Sequence, residues 1–273
     1  QRELCEDLWD ALLDEHHSMR TALCGMELWH GATALRAPET SSSWLRLTAG
    51  AGHRGAAWYH TKMRVADGFE SEFRFRALPS AVYPVDPELG DAGDACAASM
   101  PEPPEWGGGG LAFVIHSDPR ELLAIGCRGS GLGVGPDLSY FSTCAQRIYP
   151  AISVELRTHR NVSSPAQTVP SALDVISSES GGDGRRVLIS AILGDDLVLG
   201  DGRAHRVRVE YTTPGGGRLS VFIDQIPEPV VSLELTMQAA LDNAGFGFVG
   251  FTAATGVAPV MHELLDWQFT SDF

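Results

Sequence analysis

The sequence predicts an all-β protein, a single large sandwich of two antiparallel sheets. Three observations carry that expectation. Thirty Gly and sixteen Pro break the 273 residues into short runs. Those runs alternate: in Phe69–Ala77 (FESEFRFRA), Phe69, Phe73 and Phe75 share one face and Glu70, Glu72, Arg74 and Arg76 mostly the other, as in a half-buried antiparallel strand. No linker separates two cores and no internal repeat occurs. A chain of this length can bury one sizeable core built from about twelve short strands.

Only the start of the chain reads as helical. In ELCEDLWDALLDEHHSMRTAL, residues Leu4, Leu8, Leu12, Met19 and Leu23 fall at or near helical spacing, which places a helical extension over residues 1–24 ahead of a domain spanning 25–273. That helix either packs on the domain or docks a partner. Strands are then expected at Trp44–Thr48, Ala56–Val65, Phe69–Ala77, Leu111–His116, Ile152–Thr158, Ser171–Ile176, Val187–Leu193, His205–Thr212, Arg218–Ile223, Phe246–Ala254 and Glu263–Phe269. The connections SGGDG, GDDLVLGDG and TPGGG carry turn chemistry. Residues 78–106 are rich in Pro, Gly and Asp and read as a long surface loop, with weak patterning persisting to Gly110.

Charge narrows the function classes. Twenty Lys plus Arg against 35 Asp plus Glu leave a net charge of −15, so a nucleic-acid backbone is not the expected partner. Lys62 is the sole lysine, which reads as compositional bias. No run approaches the roughly 18 apolar residues of a membrane span, which predicts a soluble fragment. The chain opens at Gln1 without a charged-then-apolar leader, as a processed or trimmed product would. Cys5, Cys24, Cys96, Cys127 and Cys144 form no CxxC motif, so no zinc ribbon or thioredoxin-type site is expected. Proximity suggests Cys5–Cys24 and Cys127–Cys144 as pairings, and cysteine usage alone leaves the compartment open.

Several strands, in order, resemble the L-type (legume-type) lectin domain, a concanavalin-like jelly roll. The likeness runs from RGAAWYHTKMRVADGFESEFRFRA (Arg54–Ala77) through GGLAFVIHSDP (Gly109–Pro119), GSGLGVG (Gly129–Gly135) and AISVELRTHRN (Ala151–Asn161). It closes with HRVRVEY, LSVFID, GFVGFTAATG and HELLDWQF, the last two being similar to the family's most specific segments. The resemblance covers roughly Gly25 to Phe269. It implies a concanavalin-like sandwich and membership of the lectin/glucanase superfamily.

The resemblance also implies a calcium and a second divalent ion, held by Glu, Asp, Asn, Asp and His on one strand and the loop after it. Glu155 and Asn161 stand at matching positions, but Arg157 replaces the bridging Asp, and the loop Val162–Pro170 has neither carboxylate nor His. Calcium takes roughly six to eight oxygen ligands with carboxylates among them. Exchanging an anionic ligand for a cation disfavours a divalent ion, so calcium is expected to be lost and no cofactor is expected. Residues 155 and 157 lie on one strand face, which allows Arg157 to stand in for the metal and pair with Glu155. The alternative is that both face solvent.

The family's sugar-binding Asp matches Gly109 within Gly107–Gly110, so the anionic acceptor for sugar hydroxyls is gone. Candidate carbohydrate-binding residues are Gly109, Gly110, Asn161, His262 and Glu263, with Trp106 a conceivable rim residue. The competing readings put Trp106 over the core edge and His262 and Glu263 in a solvated turn. Asn161-Val162-Ser163 is an N-glycosylation sequon, a candidate modification site if the domain is luminal or extracellular.

Enzyme readings find no support. The strand VELRTHR carries one carboxylate where a sandwich glycosidase needs a pair, Asp195, Asp196 and Glu228 read as solvated, and no GxSxG occurs. GSGLGVG lacks the GK[ST] ending of a phosphate loop and reads as a tight inter-strand loop. The sequence therefore points to a non-enzymatic lectin-fold module with a degenerate metal and sugar site, acting as a structural or protein-interaction subunit or ectodomain of a larger assembly. The alternative is a carbohydrate-binding domain with a metal-independent or atypical site. The expected location is extracellular, at the cell surface or in the secretory-pathway lumen, and the partners are proteins or glycans.

Overall fold

The computed structural model describes residues 26–30, 32–36, 43–79, 109–137, 144–158, 171–178, 185–194, 196–213, 215–256 and 259–271. The helical reading of 1–24, with Cys5 and Cys24, and the residues Trp106, Asn161 and Asp195 lie outside them.

The strands follow in chain order as β1 (Met26–His30), β2 (Thr33–Arg36), β3 (Ser43–Thr48), β4 (Arg54–Tyr59), β5 (Met63–Arg64), β6 (Gly68–Pro79) and β7 (Gly109–His116). They continue as β8 (Ala151–Arg157), β9 (Ala172–Ser178), β10 (Arg185–Ile192), β11 (His205–Thr212), β12 (Arg218–Ile223), β13 (Val231–Glu234), β14 (Phe246–Thr255) and β15 (Val260–Ser271). The fifteen strands among the described residues exceed the dozen expected. The short β1, β2 and β13 carry too little alternation to announce themselves and are recruited by the neighbours they pair with, and the strand expected at Ala56–Val65 is divided into β4 and β5.

One sheet runs β1-β4-β14-β7-β8-β9-β10, with β5 added against β14, and the other runs β13-β12-β11-β6-β15-β3-β2. All pairings are antiparallel. The alternation of β6 does what the sequence implies: Phe69, Ser71, Phe73, Phe75 and Ala77 are buried, and Glu70 and Arg74 are exposed. β6 also continues through Leu78 and Pro79, because β15 offers Met261 and Val260 as partners. Gly109 and Gly110 likewise belong to β7, paired with Thr255 and Ala254.

The core between the sheets is aromatic at its centre. Phe73 meets Phe251 edge-on at 4.9 Å, Phe251 meets Trp267 at 5.4 Å, and Phe69 stacks on Phe269 at 5.3 Å. The Trp267 indole N–H donates to the Ser71 hydroxyl (3.0 Å), so the ring is buried without an orphaned donor.

A second apolar layer lies on the opposite face of the first sheet. There the segments 118–137 and 144–150 cover Ala56, Trp58, Ala112, Val114 and Ala151 with Ala124, Ile125, Val134 and Ile148. The covering chain is tied down by polar contacts. Trp58 Nε1 donates to the Ala124 carbonyl (3.0 Å), Arg54 to the Gly126 carbonyl (2.7 Å), and the Asp118 carboxylate accepts from Arg120 and from the Tyr149 amide (2.8 Å). Cys127 and Cys144 are joined by a disulfide. The GSGLGVG segment is an inter-strand turn between β7 and β8. Gly129 and Gly133 take positive φ there, and the Leu132 carbonyl accepts from Thr252 Oγ1 at 2.8 Å.

Candidate functional site

β8 is the strand that the resemblance marks for chemistry. Its alternation sends Ile152, Val154 and Leu156 into the core between the sheets, and Ser153, Glu155 and Arg157 to the face beneath the covering segments. Antiparallel register sets Asp174 of β9 directly opposite Glu155, and Ser190 of β10 opposite Asp174. Two carboxylates that are distant in sequence therefore meet on one face.

Two arginines neutralise them. Arg157 bridges the pair, donating from Nε to Asp174 (2.7 Å) and from a terminal nitrogen to Glu155 (3.0 Å). Arg185 reaches in from β10 to the same Glu155 oxygen. Ser153 donates to the other Glu155 oxygen (3.2 Å), and Ser190 to the other Asp174 oxygen (2.5 Å). All four carboxylate oxygens thus carry a hydrogen bond. The four charged groups sum to zero before any ion is added. Glu155 is fully buried and the Arg185 side chain is 8% exposed. Burial raises the Glu155 pKa, and the Arg185 and then the Arg157 guanidinium oppose it. The carboxylate is consequently held by these two cations and not by solvent.

The described donors at this position do not suit a divalent cation. The oxygens that would face it are already engaged, and two guanidinium groups occupy the space around them. Among the described residues no cluster of three or more His, Cys, Asp or Glu has metal-binding geometry.

Of the other sequence candidates, Gly109, Gly110, His262 and Glu263 are among the described residues and Asn161 is not. Gly109 and Gly110 are buried, and glycine is demanded sterically at 110, where a Cβ would collide with the Leu156 carbonyl oxygen. At 109 an added Cβ would approach the Ala254 carbonyl at 3.2 Å and the His262 ring at 3.8 Å, so position 109 faces His262.

His262 and Glu263 occupy no solvated turn, contrary to that sequence reading. Both are fully buried within β15 because the strand begins at Val260, earlier than its apolar pattern suggests. His262 spans the gap between the sheets. Its Nδ1 lies 2.8 Å from Thr48 Oγ1 on β3, and its Nε2 lies 2.8 Å from Thr158 Oγ1 just beyond β8. Thr48 donates its hydroxyl to the Val260 carbonyl (2.9 Å), which leaves Nδ1 as the donor and Nε2 as the acceptor from Thr158. Glu263 points to the other side of β15, between Arg46 (2.7 Å) and Arg76 (2.6 Å). Burial alone would raise its pKa, but the Arg46 and Arg76 hydrogen bonds hold it below the usual value. Neither side chain reaches the surface.

Asp174 and Arg185 are the residues that sequence reasoning missed. The alternation of ALDVISS is the signal that could have set Asp174 off the core face, but only strand register shows that it faces Glu155. Arg185 sits beside a turn-rich linker and gave no signal of entering a buried site.

The comparisons agree with this architecture. A family model described as the legume lectin domain matches residues 32–273. Arcelin-5, a lectin-like defence protein from Phaseolus vulgaris, superposes with a TM-score of 0.57 at 17% identity, covering 91% of this chain and 93% of its own. A lectin from Bauhinia forficata in complex with GalNAc gives 0.56 at 16%, with the same coverages. The carbohydrate recognition domain of Emp46p in its metal-free form gives 0.55 at 11%, covering 91% of this chain and 88% of that one. No curated protein sequence matches. A lectin-type jelly roll and a family match over residues 32–273 lead to one conclusion: the chain belongs to the legume lectin domain family.

Proposed function

We propose that this chain is a non-enzymatic lectin-fold module whose cation position has passed to an internal ion-pair network, and that it serves as a structural or protein-interaction subunit or ectodomain of a larger assembly. The observation that carries the reading is the Glu155–Arg157–Asp174–Arg185 cluster, whose charges balance and whose four carboxylate oxygens all accept hydrogen bonds. A calcium ion would meet two guanidinium groups and find its carboxylates already paired, so calcium binding is lost on this reading. The sugar contacts that the family organises around that ion then lose their organiser, and Gly109 offers no acidic acceptor.

The same pairing argues against hydrolysis. Glu155 and Asp174 lie opposite one another, but both are committed to Arg157, which leaves neither a free acid nor a free base. The Cys127–Cys144 disulfide supports an oxidising setting, outside the cell or in the secretory pathway. In that setting Asn161 is a candidate glycan carrier, to be checked by a mass shift that a glycosidase removes.

Calcium titration followed by calorimetry and thermal melting tests the central claim. No binding heat and an unchanged Tm are expected, and a calcium-dependent rise in Tm refutes it. Family membership and the Bauhinia forficata lectin's complex with GalNAc favour a second reading, a carbohydrate-binding domain that is metal-independent or has an atypical site. A glycan array with and without EDTA separates the two. Reproducible binding selects the second reading, and calcium-dependent binding refutes the replacement of the ion by Arg157.

A further inference from the structure

Away from this site, on the other sheet, a buried histidine lies between two carboxylates. His205 opens β11 with its side chain turned inward, 4% exposed, and its ring 5.8 Å from Phe75 of β6. Its Nδ1 is 2.9 Å from the Asp224 carboxylate, in the turn after β12, and its Nε2 is 3.2 Å from the Asp201 carboxylate, in the turn before β11. A neutral imidazole has one N–H and one lone pair, so against two ionised carboxylates it satisfies one contact and sets lone pair against lone pair at the other. The imidazolium form satisfies both.

The groups around the ring reinforce this. The Asp201 carboxylate also accepts from the Arg203 amide (2.8 Å) and the Arg203 side chain (2.5 Å). Burial would raise the Asp201 pKa, but these bonds and His205 hold it below the usual value. Asp224 accepts from the Arg206 amide with its second oxygen (2.9 Å), and the Arg206 side chain turns outward to Glu72. Asp224 adopts φ +55°, a left-handed conformation that Asp tolerates better than most residues, and its side-chain contacts fix the turn. That turn, through Gln225 and Ile226, forms one wall of a surface cleft with Arg206, Arg208 and Phe222.

We propose that Asp201–His205–Asp224 is a proton-dependent clasp, complete when His205 is an imidazolium and opened at one end when the ring gives up its second proton to solvent. Histidine is the side chain whose charge ordinarily changes between about pH 5 and 8, which suits it to carry the proton of such a clasp. Closing it pins the Asp224 turn to β11 and sets the shape of the cleft wall.

Two-bond proton–nitrogen spectra of the histidine rings between pH 5.5 and 8.5 test the proposal on the unaltered chain. The His205 signals are assigned by comparison with Asp201→Asn and His205→Gln. At pH 6 both His205 nitrogens are expected to carry protons. As the ring gives up its proton, the hydrogen-exchange protection factor of the amide at the opened end, Arg206 on Asp224 or Arg203 on Asp201, is expected to fall on the order of tenfold, the worth of a charge-assisted bond. A single neutral tautomer at pH 6, or Arg203 and Arg206 protection factors that both stay constant across the pH range, overturns the proposal. If His205→Gln does not fold, the unaltered chain and Asp201→Asn still decide the matter.

Discussion

Removing Arg185 offers the most direct measurement of what the ion-pair network contributes. Its guanidinium is almost fully buried against Glu155, which is itself inaccessible to solvent. In Arg185→Gln, Glu155 keeps Arg157 and Ser153, but Arg157 is shared with Asp174. Breaking a buried pair by deleting one partner costs about 3–5 kcal/mol, mostly from the charge left behind. Arg157 remains to compensate in part, so about 3 kcal/mol is expected by urea denaturation at pH 7. Removing the stranded charge as well, in Glu155→Gln with Arg185→Gln, should recover most of it. Burial raises the Glu155 pKa, so the single variant should also lose less as the pH is lowered, because protonation relieves the stranded carboxylate. If Arg185→Gln costs the same with Glu155 present or replaced, the two residues are not coupled and the network account fails.

Three further outcomes follow from other parts of the fold. Burial holds the His116 pKa down to about 3, whereas an unfolded imidazole takes its proton near 6.5. Between those values the unfolded chain binds the extra proton, so stability is retained above that range and falls as the pH drops. The loss is about 3 kcal/mol by pH 4, and a stability–pH slope unchanged in His116→Leu would contradict it. The Cys127–Cys144 bond closes a loop with a sequence separation of 17, so replacing both cysteines by Ala should cost about 3 kcal/mol in denaturant midpoint terms, chiefly through unfolded-chain entropy. Gly110→Ala, which drives a methyl into the Leu156 carbonyl, should destabilise by about 3 kcal/mol. Gly109→Ala should cost clearly less, and equal melting losses for the two would show that the β7–β8 approach is looser than described.

The strands easiest to read from sequence were those with one face in the core and one in water. β6, β11 and β12 each alternate plainly, because a period of two is imposed wherever a sheet is half-buried. β7 is buried on both faces, beneath the covering segments as well as above the core, so it showed only an apolar run whose start among the glycines was obscure. His262 and Glu263 were misplaced for a related reason. A charged residue suggests solvent until its partners are known, and Arg46 and Arg76 arrive from two other strands.

At the candidate site, local sequence established two things: Glu155 and Arg157 share a strand face, and an arginine stands where the related family places an acid. These follow from adjacency along one strand, which backbone geometry sets. The partners that give the pair its meaning do not. Asp174 lies 17 residues beyond Arg157 and Arg185 is 30 beyond Glu155, and they meet Glu155 and Arg157 because β8, β9 and β10 pair in one register. A slip of one residue would turn Asp174 into the core and leave the arginines without it. Register is set by the packing of every strand in the sheet at once, which is why the charge balance of this site belongs to the folded molecule.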